Sequence, residues 1–154
     1  MAPTLFLGYC ALSLAVGLVS GLVPVVNTEA FLLALAALAP REVIVSAVVL
    51  TTLGQMVAKS LLYQAGSGAV SSRFLEHRAA SVREWSERLG RARAGATAIV
   101  FVSAAIGLPP FYVVSLAAGS LRFSLVRFLL VGASGRLLRF SAVVAVPRLL
   151  GVAS

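Results

Sequence analysis

Two stretches of this chain, residues 1–28 and 94–121, carry no charged side chain at all. An amphipathic segment alternates apolar and polar faces. An uninterrupted apolar run of about 20 residues instead has the length that crosses a bilayer as a helix. Composition agrees: of 154 residues, 60% are hydrophobic and 12% charged, against roughly 25% charged in a soluble domain. Disorder is excluded and a soluble globule nearly so. The length bounds the chain at one domain. Its 13 Lys and Arg outweigh 5 acids, every one of them Glu, giving a net charge of +8. A nucleic-acid binder needs that excess on a soluble basic surface. In a chain this apolar it reads as the cytoplasmic flanks of an integral membrane protein, so membrane lipids, not nucleic acid, are the expected partners.

Residues 4–22 make the first expected spanning helix. A signal peptide competes for this segment, but it would carry a positive n-region and an Ala-x-Ala-type cleavage site. Only the amino terminus is positive here, and Ser20-Gly21-Leu22-Val23-Pro24 is a poor site. Residues 23–40 hold a short apolar piece between Pro24 and Pro40. It is too short to span and reads as a re-entrant hairpin. Asn27 or Thr28 is placed to cap its helix, with Glu29 in the first turn. Residues 43–66 form the second expected span.

Composition then changes abruptly. Residues 73–93 hold six of the thirteen basic residues and three of the five acids. Ser81 and Glu84 match a capping box, and Val82, Trp85 and Leu89 share one face. Glu84 with Arg88 and Glu87 with Arg91 are favourable i,i+4 pairs, and Gly90 is a stop signal. Residues 71–93 thus read as a cytoplasmic amphipathic segment lying on the membrane surface. A solvated loop helix is the competing reading, because the apolar stripe is narrow.

The second charge-free stretch contains Gly107-Leu108-Pro109-Pro110. Two prolines remove two backbone donors, and in lipid such a break survives only inside protein or beside a watery cavity. Residues 95–120 therefore read as a second re-entrant hairpin, and residues 123–147 as the last span. The basic segment places the end of the second span in the cytoplasm. The N-terminus is then expected inside, with the hairpins entering from opposite faces. A shift of 81 positions lays Leu35-Ala36-Ala37 and Arg41 onto Leu116-Ala117-Ala118 and Arg122, and Gly54 onto Gly135. Repeated halves with broken helices are typical of secondary transporters. The expected fold is all-α: one membrane domain over 1–154, with spanning helices and two re-entrant helical hairpins in an inverted-repeat arrangement.

The inventory of reactive groups is small. With no Asp and a single His77, a Ser-His-Asp triad cannot form, and a zinc site would need more ligands. Cys10 is the only cysteine, which excludes an intramolecular disulfide, and it reads as a small hydrophobe. No enzyme activity, cofactor or metal is expected. Glu29 is the acid in the most apolar setting; a carboxylate at membrane depth is costly and marks a substrate path or proton relay. An interfacial Glu that only caps its helix is the alternative. Lys59, Arg136 and Arg139 are cations in or near apolar helices. Arg136 and Arg139 share a face and suit a phosphate headgroup, with snorkelling to the interface as the plainer reading. Gly17, Gly21, Gly54, Gly132 and Gly135 allow close helix packing.

Three motifs carry a resemblance. They are Pro24-x-x-x-x-Glu29; Gly54-x-x-x-x-Lys59-x-x-x-Tyr63-x-x-Gly66; and Gly107-Leu108-Pro109-Pro110-Phe111 followed by Ala118-Gly119, Phe128 and Gly135-Arg136-x-x-Arg139-Phe140. With them the chain resembles, over residues 23–140, the DedA family, also called the VTT or SNARE-associated Golgi protein domain. The likeness is greatest to its short YqaA-like branch. The resemblance implies two re-entrant hairpins meeting from opposite faces, a bacterial inner (plasma) membrane location, and flippase-like or scramblase-like lipid transport with polyprenyl phosphate or phospholipid as cargo. Some members are linked to proton or cation coupling, and the family's first essential acid would correspond to Glu29.

The chain also departs from the family pattern. Many members have an Asp where this chain has Lys59, arginines flanking the second hairpin's proline where this chain has Ala105 or Ile106 and Phe111, and an arginine at Ser67. The expected function is lipid translocation, with Glu29, Lys59, Pro109, Pro110, Arg136 and Arg139 on the transport path. Pro24, Gly54, Tyr63, Gly66, Gly107, Gly119 and Gly135 would serve as structural positions. A proton- or ion-coupled transporter without lipid cargo is the alternative, followed by a structural or assembly subunit. A homodimer is compatible with so small a bundle.

Overall fold

The computed structural model describes residues 2–23, 26–68, 79–92 and 95–149, with 147–149 by backbone alone. Pro24, His77 and the whole of the basic segment before residue 79 lie outside the described residues. Among the described residues the regular structure is helical throughout: α1 (Pro3–Leu22), α2 (Thr28–Leu38), α3 (Arg41–Gly66), α4 (Ala79–Arg91), α5 (Ala96–Ile106), α6 (Phe111–Ser120) and α7 (Leu125–Leu149). Three of these helices, α1, α3 and α7, are long and apolar enough to cross a membrane. They begin and end within two residues of the expected 4–22, 43–66 and 123–147. The chain divides into two compact units, Met1–Ala58 with Arg136–Ser154, and Lys59–Gly135.

In the first unit, α1 buries only a stripe of small residues, Ser13, Gly17, Ser20 and Gly21. Its leucines point outward, as a lipid-facing helix requires. The stripe lets α1 and α3 touch backbone to backbone. A side chain at Gly17 would overlap the Thr51 carbonyl, and one at Gly54 would come within 2.8 Å of the Leu18 nitrogen. Thr51 Oγ1 donates to the Ser13 carbonyl at 3.2 Å, and Gln55 Nε2 to Ser20 Oγ at 2.9 Å. A side chain at Gly21 would meet Ala58.

Residue numbers rise together along both helices in these contacts, so α1 and α3 run parallel. The expected topology, with α1 leaving the cytoplasm and α3 returning to it, requires them antiparallel; the packing makes them parallel instead. Hydropathy is identical for either direction, so only the packing reveals it. Helix α2 runs against α3: Thr28 meets Gln55, while Leu32, Leu35 and Ala36 pack with Ile44, Ala47, Val48, Phe140 and Val144. Asn27 caps α2, its Oδ1 accepting from the Glu29 and Ala30 amides at 3.0 and 3.1 Å.

In the second unit, α5 and α6 form a helical hairpin. Gly107 closes α5 in the left-handed conformation at φ 89°, where glycine pays no Cβ penalty. The Leu108–Pro109 peptide is cis, and Ser103 Oγ donates back to the Pro109 carbonyl at 2.5 Å. The two outer ends of the hairpin, Ala96 and Leu121, lie beside Leu89 and Gly90 of α4. Helix α6 is buried on nearly every side, as its all-round apolar sequence allows.

Helix α4 starts at Ala79, two residues before the expected cap, so Ser81 lies inside the helix and the capping box is not its start; Gly90 likewise falls one residue before its end. The expected pairs do form, Arg88–Glu84 at 2.6 Å and Arg91–Glu87 at 3.4 Å. Val82 is buried against Leu62, Ala65, Val113 and Leu116, with Trp85 half-buried on the same cluster. The apolar stripe of α4 is thus covered by protein, which leaves little of it to lie on a membrane surface.

The turn after α6 ends in a Schellman-type cap: the Arg122 amide donates to the Gly119 carbonyl and the Phe123 amide to that of Ala118, both at 2.9 Å. Arg122 holds φ 51°, the left-handed position that glycine usually fills. Arg122→Gly is therefore expected to stabilise the protein by about 1 kcal/mol. A thermal melt in detergent checks this; an unchanged or lower midpoint would contradict it.

Candidate functional site

The first unit contains an ion pair that joins α2 to α7. Arg139 Nε, in the middle of α7, donates to Glu29 Oε1 at 2.6 Å, and Arg139 Nη2 reaches the same oxygen. Both side chains are half-buried. The local sequence explains the placement. Asn27 starts α2 and fixes Glu29 in its first turn, where the helix dipole favours a carboxylate. Arg136 sits one turn before Arg139 and is half-buried, with its guanidinium 5.9 Å from the Phe140 ring centroid. Arg139 holds the carboxylate directly, while Arg136 lies over the Phe140 ring with Glu29 and Arg139 near enough to act on its charge.

A polar knot adjoins the start of α2. Gln55 is 4% exposed, and its Nε2 donates to Ser20 Oγ and Thr28 Oγ1, both at 2.9 Å. Its Oε1 is buried with no hydrogen-bond partner. Buried polar atoms are seldom left unpaired. Sequence reasoning registered Gln55 only as an interruption of an apolar run. The signal that could have found it is an uncharged polar side chain at a helix-packing position beside Gly54.

Lys59 belongs to the second unit. It is 5% exposed, and its ammonium lies 5.9 Å from the centroid of Phe111, the first residue after Pro109-Pro110. It does not reach outward as a snorkelling lysine would. Phe111 stacks on Phe128 at 5.7 Å, and Tyr63 lies against the same Phe128 at 5.6 Å. The Tyr63 hydroxyl donates to the Phe123 carbonyl. Gly66 and Gly119 are both in backbone contact: a side chain at Gly66 would overlap Leu116, and one at Gly119 would overlap the Tyr63 carbonyl. Gly135 does the same for α7 against α5, where a side chain would sit 2.9 Å from the Phe101 carbonyl. Gly54 thus sits where α3 meets α1, and Gly135 where α7 meets α5.

The chain offers, in its first unit, a carboxylate–guanidinium pair, a second arginine and an unsatisfied buried amide, and separately, in its second, a buried lysine beside a proline-broken turn. It contains no group of three His, Cys, Asp or Glu among the described residues that could hold a metal. Comparison of the chain with protein-family models, with curated proteins and with solved structures gives no match.

Proposed function

We propose that the protein is a membrane transporter that moves an anionic or zwitterionic lipid across the bilayer, in the manner of a flippase or scramblase. The observation that carries this reading is the Glu29–Arg139 pair: a charged pair joining the start of a short helix to the middle of a spanning helix, 110 residues apart. Ionisable groups at membrane depth are costly and mark substrate or ion paths. A pair of this kind can receive a phosphate-bearing headgroup on the arginine fork while the carboxylate keeps the guanidinium aimed at it. The DedA resemblance points the same way.

The topology that accompanies this proposal follows from α1 and α3 being parallel. With the basic segment after α3 in the cytoplasm, Pro3 and Arg41 are extracytoplasmic. The segment between α1 and α3, which contains α2, is then a broken crossing. The α5–α6 hairpin, both of whose ends lie beside α4, is the re-entrant element and enters from the cytoplasm. In a Cys10→Ser background, Thr4→Cys is expected to label with an impermeant maleimide from outside intact cells, and Ala80→Cys only in inverted vesicles. Labelling of both from the same side would contradict this topology.

Purified protein in liposomes tests the function. Translocation of a headgroup-labelled phospholipid, without an accompanying pH change in the lumen, is expected. Proton flux without lipid movement would favour an ion transporter instead, and neither activity would favour a structural subunit.

A further inference from the structure

The first unit carries a groove of about 540 Å³ between the first half of α3 and the second half of α7. That volume is in the range of small-molecule sites, roughly 300–1,000 Å³. Val45, Val49, Leu137 and Ala145 contribute to walls that are apolar but for Ser141 and Arg41. Val45 is 71% exposed. Both walls belong to helices long and apolar enough to cross a membrane, so the groove opens towards hydrocarbon. Arg41 is exposed at the first residue of α3 and has no ion pair or hydrogen bond with the described residues. It stands apart from Glu29, which already has its arginine.

We infer that this groove is a binding site for a membrane lipid with an anionic headgroup, one acyl chain lying between α3 and α7 and the headgroup phosphate on Arg41. The charge at the mouth selects the ligand. The groove itself is apolar and would accept any acyl chain, whereas an unpaired guanidinium at the interface favours a net-negative headgroup and has little to gain from a zwitterionic one. The site rests on α3 and α7 lying in a membrane, and not on translocation. It also differs in residues from the Glu29–Arg139 pair.

Trp85 is the only tryptophan, which makes the test direct. In a Trp85→Phe background, Val45→Trp places an indole in the groove, and Leu7→Trp places one on the exposed side of α1 as a control. Each is reconstituted in phosphatidylcholine vesicles containing a small fraction of lipid brominated on its acyl chains, either phosphatidylglycerol or phosphatidylcholine. The Val45→Trp indole is expected to be quenched with about fivefold preference for the brominated phosphatidylglycerol, the effect of one favourable interfacial charge, and the Leu7→Trp indole without preference. Adding Arg41→Gln, at an exposed residue whose loss leaves the fold intact, is expected to remove the preference while quenching by both lipids persists. Equal quenching by the two lipids with Arg41 present would overturn the site. So would a preference that survives Arg41→Gln, or an indole shielded from both lipids, the last indicating a second copy of the chain in the groove. Failure of lipid translocation with the preference intact would count against the transporter reading alone.

Discussion

Glu29→Gln is expected to slow lipid translocation by about ten- to hundredfold, with the protein still folded. The estimate follows from the bond that is lost. Arg139 donates to Glu29 through Nε at 2.6 Å and also reaches the oxygen with Nη2, and hydrogen bonds to charged groups are worth roughly 1.5–3 kcal/mol. Each 1.36 kcal/mol on a barrier is a factor of ten in rate. Arg139→Gln is expected to have an effect of the same size, and the double variant little more than either alone, because both remove one interaction. The charge-exchanged protein, Glu29→Arg with Arg139→Glu, would regain the pair and part of the rate. If the pair were only a structural tie, the single variants would lower the melting temperature and leave the rate per folded molecule unchanged. That result would remove Glu29 from the transport path.

The second large effect concerns folding. Gly54→Leu and Gly119→Leu are each expected to prevent accumulation of folded protein. A Cβ at Gly54 would sit 2.5 Å from the Leu14 carbonyl oxygen and 2.8 Å from the Leu18 nitrogen, and one at Gly119 would overlap the Tyr63 carbonyl. These are backbone atoms of neighbouring helices and cannot turn aside as a side-chain tip does. Overpacking of this kind costs about 1–3 kcal/mol even for small additions, and more for a branched side chain. Gly8 is the control, with nothing within 4 Å of its added Cβ. Gly8→Ala, in the same kind of apolar helix, is expected to be neutral or stabilising by up to about 1 kcal/mol. Expression and thermal stability in detergent read all three. Normal stability of Gly54→Leu would mean that α1 and α3 do not meet as described.

The long helices were legible because hydropathy and helix length are one-dimensional properties; α1, α3 and α7 needed no partner to be recognised. The break at Gly107–Pro110 was legible for the same reason, since a missing backbone donor is a local fact. Asn27 as the cap of α2 followed from its side chain alone. Direction was not legible. An apolar run reads the same either way, and the parallel course of α1 and α3 emerges only from the paired positions 13 with 51, 20 with 55, and 21 with 58.

The pairing of Glu29 with Arg139 was out of reach too, although both residues stood out singly, because 110 residues separate them. In the sequence Arg41 stands out only through the shift of 81 that lays it on Arg122. Its significance depends on a groove built by a helix far along the chain. In α4 the apolar face was read correctly, but what covers that face depends on α3 and α6, so membrane and protein could not be told apart from the stripe itself.

The most direct test of lipid translocation uses vesicles that carry a nitrobenzoxadiazole-labelled phospholipid in both leaflets and the purified protein as their only protein. Dithionite bleaches only probe exposed on the outer leaflet, so protein-free vesicles keep the fluorescence of the inner leaflet. With the wild-type chain, that protected fraction is expected to be lost as inner-leaflet probe moves outward, and to be retained with Glu29→Gln. Retention of the protected fraction by vesicles containing folded wild-type protein would contradict the account.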